Sequence, residues 1–332
     1  MNLPRKLTMN QLLVGAGIAA VVAFLLALRW LLGDGTITFQ RPTIGPDTSE
    51  QASSCVTADQ RPVAIMLASD PEARPLSGIA SANMVFEMPV TPNGITRMMG
   101  VFWCHQPKEI GSVRSARQDF IPLAQGLGAI LAHWGGEQDA LALLKSKIID
   151  NIDGLIYDGS VYWRKSSVPR PHNGFTSIGS VLAQSTKLGY TITRQPEPSP
   201  QPTHGSSEGL EVRIAWPQGM GVTFQFDPTT SSYLRWRGGT PEIDRLTGSQ
   251  VSASAVVVLE TESSFVRDQY IRVRTTGTGV ATIYQNGTEL RALWHKATAT
   301  SPLTFTDPSG KAIALAPGLQ WFILNPPLPN VH

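Results

Sequence analysis

The sequence predicts an α+β protein: a mixed α/β sheet domain followed by an all-β domain, behind a single N-terminal transmembrane helix. Three observations predict it. Leu12–Leu32 (LLVGAGIAAVVAFLLALRWLL) is a run of 21 residues carrying one charge, and at 1.5 Å per residue it spans about 31 Å, the thickness of a bilayer core. Between residues 61 and 193, short apolar strand-like runs alternate with segments of helical period. From 210 to 326 the chain reads as short strands and tight turns, with no helix-length amphipathic stretch.

Arg5 and Lys6 precede the apolar run, so the positive-inside rule keeps residues 1–11 in the cytoplasm and places everything after Gly33 outside. Arg29, beside Trp30 near the far end, can extend its charge to the interface. No small-x-small cleavage site and no lipid-accepting cysteine follow the run, which favours an uncleaved anchor at the cell membrane. Residues 33–60 are polar and rich in Pro, Gly, Ser and Thr, and read as a tether. An outside address permits a disulfide between Cys55 and Cys104, the chain's two cysteines.

Order is expected to begin at Pro62. PVAIMLA, SANMVFEMPV and ITRMMGVFWCH read as three strands, the last two joined by the turn Thr91-Pro92-Asn93-Gly94. RSARQDFIPLAQGL (114–127) is expected to be helical with Ser112 as N-cap, which places Arg114 and Arg117 on one face. AILAHW is a strand, and EQDALALLKSK and SIGSVLAQSTKL are helices. Residues 194–209 are too rich in Pro and Ser to pack and read as a linker. In the all-β segment, VTFQF-DPTTSS-YLRW, ATIY-QNGT-ELRALW and FTDPSGKAI each read as a hairpin, with Asn286-Gly287 the favoured tight turn. These strands are expected to curl into a barrel or small sandwich of their own. Trp236, Trp294 and Trp321 are read as core, whereas Arg235, Arg237, Arg272 and Arg274 alternate as a solvated sheet face would.

Charged residues make up 16% of the chain, against roughly 25% in ordinary soluble proteins, which excludes a charge-rich disordered chain. A formal net charge of +2 gives no electrostatic case for nucleic acid. No G-x-S-x-G, P-loop, H-E-x-x-H or S-x-x-K pattern is present, so neither a catalytic motif nor a cofactor is implied. Functional side chains are instead dense in the loops of the first domain: Arg97, Arg114, Arg117, His133, Trp134, Arg164, His172 and Asn173. Guanidinium groups bind phosphate or carboxylate in bidentate fashion, and Trp134 would pack on the apolar part of such a ligand. The bland alternative is internal pairing of the arginines with Glu87, Asp119, Asp150 and Asp153. His133 and His172 with Glu137 or Asp119 contain zinc-ligand types, but no spacing supports a metal site.

At these loops the sequence resembles the YerB-like family of bacterial extracytoplasmic lipoproteins, whose domain is of unknown function. The resemblance is carried by Pro62-Val-Ala-Ile-Met66, Ala73-Arg-Pro-Leu-Ser-Gly78, Gly94-Ile-Thr-Arg97, Ile110-Gly-Ser-Val-Arg-Ser-Ala-Arg117, Asn151-Ile-Asp-Gly-Leu155 and Pro171-His-Asn173. In the second domain it rests on Tyr233-Leu-Arg-Trp236, Gly277-Thr-Gly279, Trp294-His-Lys296 and Pro317-Gly-Leu-Gln-Trp321. It implies an envelope protein associated with cell-wall synthesis machinery, with no catalytic residues to carry over. This chain departs from the family in lacking a lipobox cysteine, in Ser112 where proline is usual, and in Trp134 where a small residue is usual. The expected function is a membrane-anchored binding or scaffold protein that holds an anionic cell-wall component through an arginine-rich pocket. Two other readings stand beside it: an envelope hydrolase or transferase using His133 or His172, and a structural partner of membrane proteins acting through the β domain.

Overall fold

The computed structural model describes residues 59–194, 201–267 and 269–329. The Leu12–Leu32 span, most of the tether and residues 195–200 of the linker lie outside them, as does Cys55; Cys104 is disulfide-bonded. No helix among the described residues is long and apolar enough to cross a membrane.

The first segment contributes β1 (Val63–Ala68), β2 (Met84–Pro89), β3 (Thr96–Phe102), β4 (Ile110–Gly111), β5 (Ile130–His133), β6 (Asn151–Asp153), β7 (Trp163–Arg164) and β8 (Gly174–Thr176). Its helices are α1 (Ile121–Gly126), α2 (Gln138–Lys145) and α3 (Ile178–Lys187). The second segment adds β9 (Ser207–Glu208), β10 (Glu211–Ile214), β11 (Val222–Asp227), β12 (Ser232–Arg237), β13 (Thr240–Pro241), β14 (Ser252–Ala253) and β15 (Ala255–Glu260). It continues through β16 (Ser263–Arg267), β17 (Tyr270–Val273), β18 (Gly277–Gln285), β19 (Thr288–Lys296), β20 (Thr304–Thr306) and β21 (Gln320–Asn325).

One mixed sheet runs through both segments in the order β20-β19-β18-β15-β21-β2-β3-β1-β5-β6, with β9 pairing β19. β21 is the join: it lies parallel to β15 on one side and to β2 on the other. The C-terminal strands therefore do not close into a barrel or sandwich of their own. β15 and β18–β21 extend the first segment's sheet, because Trp321, Phe322 and Ile323 find apolar neighbours on both faces there. Of the others, β10–β14 form a five-stranded sheet and β16 and β17 a two-stranded one.

Strand parity explains the layering. Along β1, Val63, Ile65 and Leu67 enter one core, while Ala64 and Met66 enter the other. The first core is closed by the five-stranded sheet through Val222, Phe224 and Tyr233, and by α3 through Ile178 and Val181. The second is closed by α1, α2 and β17, through Leu123, Leu144 and Ile271. A chain buried on both faces should read as an unbroken apolar run, and VAIMLA does.

Local signals hold where backbone chemistry is strong. Ser177 caps α3, its hydroxyl accepting from the Ser180 amide. The β18–β19 hairpin turns at Asn286 and Gly287, both at positive φ (53° and 71°), as a type I′ turn demands. The helix expected over 114–127 forms only from Ile121, after a 3-10 turn at Gln118–Phe120. Residues 112–116 are instead held extended. Ala68 and Val113 donate to Ser112 and Gly174 carbonyls, Arg114 donates to Met66, and Trp134 and Ala116 donate to Arg114 and Gly135. These cross-chain bonds replace helical ones, so Ser112 is a buried residue in an extended segment and not an N-cap.

Candidate functional site

β1, β5 and β6 are parallel neighbours, and their carboxyl ends open onto the loops that carry the expected site. Ligand crevices in open sheets of this kind form at such ends. β3 runs antiparallel to β1 with Arg97 opposite Ala68, so Arg97 also lies there. The extended segment 112–116 crosses this end, fixed on both sides by the bonds just described, and presents Arg114. Arg114 Nη1 reaches the Pro171 carbonyl at 3.5 Å, which brings in the loop bearing His172.

Arg97, Arg114 and Arg117, with the His172 imidazole beside them, thus form one basic cluster near Asp70, and the Glu137 charge acts on Arg117. Arg97 donates to Asp70 Oδ2 at 3.2 Å. Burial would raise the Asp70 carboxyl, but Arg97, Arg114 and His172 hold it below its ordinary value. Burial pushes the Arg97 guanidinium down to about 9 against the pull of Asp70, and Arg117 and Arg114 push the same way. Burial likewise lowers Arg117, with Glu137 opposing, and lowers His172, with Arg114 adding to the effect. Arg97, Arg117 and His172 are therefore each less comfortable charged than they would be in water.

The hydrogen-bond ledger is unbalanced at the same place. Nε of Arg97, Arg114 and Arg117, Nδ1 of His172 and Oγ of Ser112 are all buried without a partner. Arg97 is 3% exposed and Ser112 fully buried. Buried donors without acceptors are uncommon in folded proteins, since each loses its water at a cost of about 1–3 kcal/mol. The three arginine Nε atoms and the Ser112 hydroxyl, with the His172 ring nitrogen beside them, form a set awaiting a partner.

The other expected site residues sit beside this cluster and are already engaged. His133 is buried at the end of β5, Nδ1 donating to the Gly135 carbonyl at 2.8 Å and Nε2 facing Asn151 Oδ1 at 3.3 Å. Trp134 lies against the backbone of Gly154 and Gly174, where an added Cβ would come within 2.6 Å of its ring. Arg164 stacks on the same indole at 4.2 Å, bridges to Asp158 at 2.9 Å and donates to Asn173 Oδ1 at 3.2 Å. Arg164 and Asn173 also line an open depression with Ser166, Val168, Pro169 and Arg170.

Among the described residues Arg114 and Arg117 form no salt bridge with the acids considered as internal partners. Asp150 pairs with Arg61, Asp119 with Arg272, and Asp153 accepts from the Gly135 and Leu155 amides. Glu87 is taken by two arginines that the sequence pattern places in solvent. Arg235 and Arg237 are buried (0% and 2% exposed), each paired with both Glu87 and Glu242. Trp236, expected in the core, is half-buried on the opposite face of β12. Sequence reasoning also missed Asp70, which lies in a loop with no motif around it. A signal for the buried quartet did exist: Glu87 interrupts the otherwise apolar strand MVFEMP.

Comparison with known proteins follows the same two segments. The N-terminal domain described as "Protein of unknown function (DUF3048)" matches residues 48–191, and the C-terminal domain of that description matches residues 212–322. The chain belongs to the DUF3048 family. It is similar to a Bacillus subtilis (strain 168) protein named "Putative lipoprotein YerB", 26% identical over 308 residues, covering 88% of this chain and 92% of that one. The crystal structure of YerB protein from Bacillus subtilis aligns with a TM-score of 0.74 at 27% identity, covering 82% of this chain and 92% of that one. The YerB-like resemblance of the sequence holds at both levels. The cationic cluster lies wholly within the N-terminal DUF3048 match, and the C-terminal match adds Tyr270, whose ring lies 5.1 Å from the Arg117 guanidinium.

Proposed function

We propose that this DUF3048 protein is a membrane-anchored, extracytoplasmic binding protein of the bacterial envelope that holds an anionic envelope component at the Arg97–Arg114–Arg117–His172 cluster. The apolar Leu12–Leu32 run and the lipoprotein name of its Bacillus relative support the address. The observation that carries the binding reading is the set of buried, unpartnered nitrogens on four cationic or titratable side chains near Asp70. An anion seated among them satisfies the donors and offsets the excess charge together. Two or three charge-assisted hydrogen bonds at about 1.5–3 kcal/mol each give affinities from the millimolar range up to the micromolar, the latter when three bonds reach the upper value.

The test titrates the full chain, reconstituted in nanodiscs of zwitterionic lipid, with phosphate, acetate and a muropeptide. Wild type is expected to bind at least one of them, and Arg114→Ala/Arg117→Ala to weaken that binding at least tenfold. Equal, weak binding by wild type and variant sinks the reading.

A further inference from the structure

An exposed apolar pair lies on the same edge of the sheet as the cationic cluster. Leu155 and Ile156 are 65% and 72% exposed, the most exposed large hydrophobic residues among those described. They follow β6 at the same carboxyl edge of the sheet as Arg97 and Arg114. A continuous path connects them to the cations. The Arg114 carbonyl accepts from the Trp134 amide, Gly135 follows Trp134, and a Cβ on Gly135 would meet Leu155 Cδ1 at 3.1 Å. The loop is not loosely hung, because Asp153 Oδ1 accepts from both the Gly135 and Leu155 amides, at 2.7 and 2.9 Å. Two leucine-class side chains are therefore held in water by a fixed turn beside a donor set that lacks an acceptor.

Donor geometry selects among anions. The three guanidinium groups face Asp70 and, at Arg117, the Glu137 charge as well. A phosphate offers three terminal oxygens to donors that come from three separate segments (97, 112–117 and 172), where a carboxylate offers two. Resting on the anion-binding reading, we infer that the natural occupant is a lipid-borne phosphate, its head among Arg97, Arg114, Arg117 and His172 and the start of its chain on Leu155 and Ile156.

Methyl phosphate, hexyl phosphate and hexanoate separate the elements of this inference when titrated against the full chain in nanodiscs. Each added methylene that is buried strengthens binding several-fold, so wild type is expected to bind hexyl phosphate at least tenfold tighter than methyl phosphate. It is also expected to prefer hexyl phosphate to hexanoate by at least tenfold. Leu155→Ser/Ile156→Ser should reduce the chain-length preference below threefold and leave methyl phosphate affinity unchanged. Equal affinity of wild type for methyl and hexyl phosphate, with both lost in Arg114→Ala/Arg117→Ala, overturns the lipid assignment and leaves the anion reading intact. Hexanoate binding as tightly as hexyl phosphate overturns the phosphate assignment in the same way. Binding of no phosphate, or binding indifferent to Arg114→Ala/Arg117→Ala, removes both readings. A Leu155→Ser/Ile156→Ser variant that abolishes self-association in sedimentation but keeps the chain-length preference assigns the patch to a second copy and overturns the inference.

Discussion

The molecule holds two groups of arginines that solve opposite problems. Arg235 and Arg237 lie between the sheets, fully desolvated, and each is paired with both Glu87 and Glu242, although Arg235 Nε, like the Nε atoms of the other group, has no partner; what separates the groups is charge pairing. Arg97, Arg114 and Arg117 lie at the carboxyl edge of the sheet, where Arg97 alone of the three has a salt bridge among the described residues, to Asp70, and three buried Nε atoms are unsatisfied. The first group is electrically closed and bridges the two segments of the chain, since Glu87 is on β2 and its partners are on β12. The second group is open. A buried pair contributes specificity to a fold, whereas an uncompensated cluster at an edge is poised for something outside the chain.

Breaking the closed group should give the largest effect. Glu87→Gln leaves Arg235 and Arg237 sharing Glu242 in a dry interior, and removing one partner of a buried pair costs about 3–5 kcal/mol. Burial alone would raise the Glu87 carboxyl, yet Arg237 and Arg235 hold it below its ordinary value, so the charged form is the one the fold uses. Chemical denaturation should show the unfolding free energy falling by that amount. A loss below about 1 kcal/mol would mean that the two groups of arginines do not differ as argued.

A third acidic site sharpens the contrast, because it draws acids away from Arg117. Asp119 accepts from the Val273 amide at 2.9 Å and lies 3.5 Å from Arg272, which also bridges Glu137 and Asp139. Burial pushes the Asp119 carboxyl up to about 7, with the Glu137 charge adding to the rise. An unfolded aspartate titrates near 3.9. Between about pH 4 and 7 the folded state therefore keeps a proton that the unfolded chain has released. The stability from this group is fully present below about pH 4 and is lost as pH rises through 7. Asp119→Asn should flatten the stability profile across that window by something on the order of 2–4 kcal/mol. Parallel profiles for variant and wild type from pH 4 to 8 would refute the assignment.

The sequence made legible those elements whose signals are local. VAIMLA reads as a strand, SIGSVLAQSTKL as a helix and Asn286-Gly287 as a tight turn, because each depends on neighbours within a few residues. The loops were legible as a list, and the structure places Arg97, Arg114, Arg117 and His172 near Asp70. What hid was decided by distant partners. In YLRWR, alternation shows that two faces exist but not which is inside, and hydropathy favours Leu234 and Trp236. The fold turns Tyr233, Arg235 and Arg237 inward because Glu87, some 150 residues away in sequence, is buried opposite them. Arg114–Arg117 has a helix-compatible composition, but the open backbone edges of β1 and of Trp134–Gly136 supply better partners for its amides. The joining of the two segments by β21 is likewise a long-range event.

The smallest effect expected is also the most discriminating. Arg114→Ala removes a half-buried guanidinium that forms no salt bridge among the described residues and has one long hydrogen bond, 3.5 Å to the Pro171 carbonyl. If the cluster were structural, truncating it should destabilise the fold as loss of a paired buried charge does. In an open cluster the loss of packing around the side-chain stem is offset by relief of repulsion with Arg97 and Arg117. The unfolding free energy should then stay within about 1 kcal/mol of wild type. The same substitution should relax the neighbours it acts upon: the His172 imidazole loses a positive neighbour that lowers it, so its titration, followed by NMR of the ring protons, moves upward. Near-unchanged stability with a raised His172 titration marks a cation kept for a ligand. A loss of 3 kcal/mol or more, with His172 unmoved, would place Arg114 with Arg235 and Arg237 as part of the frame.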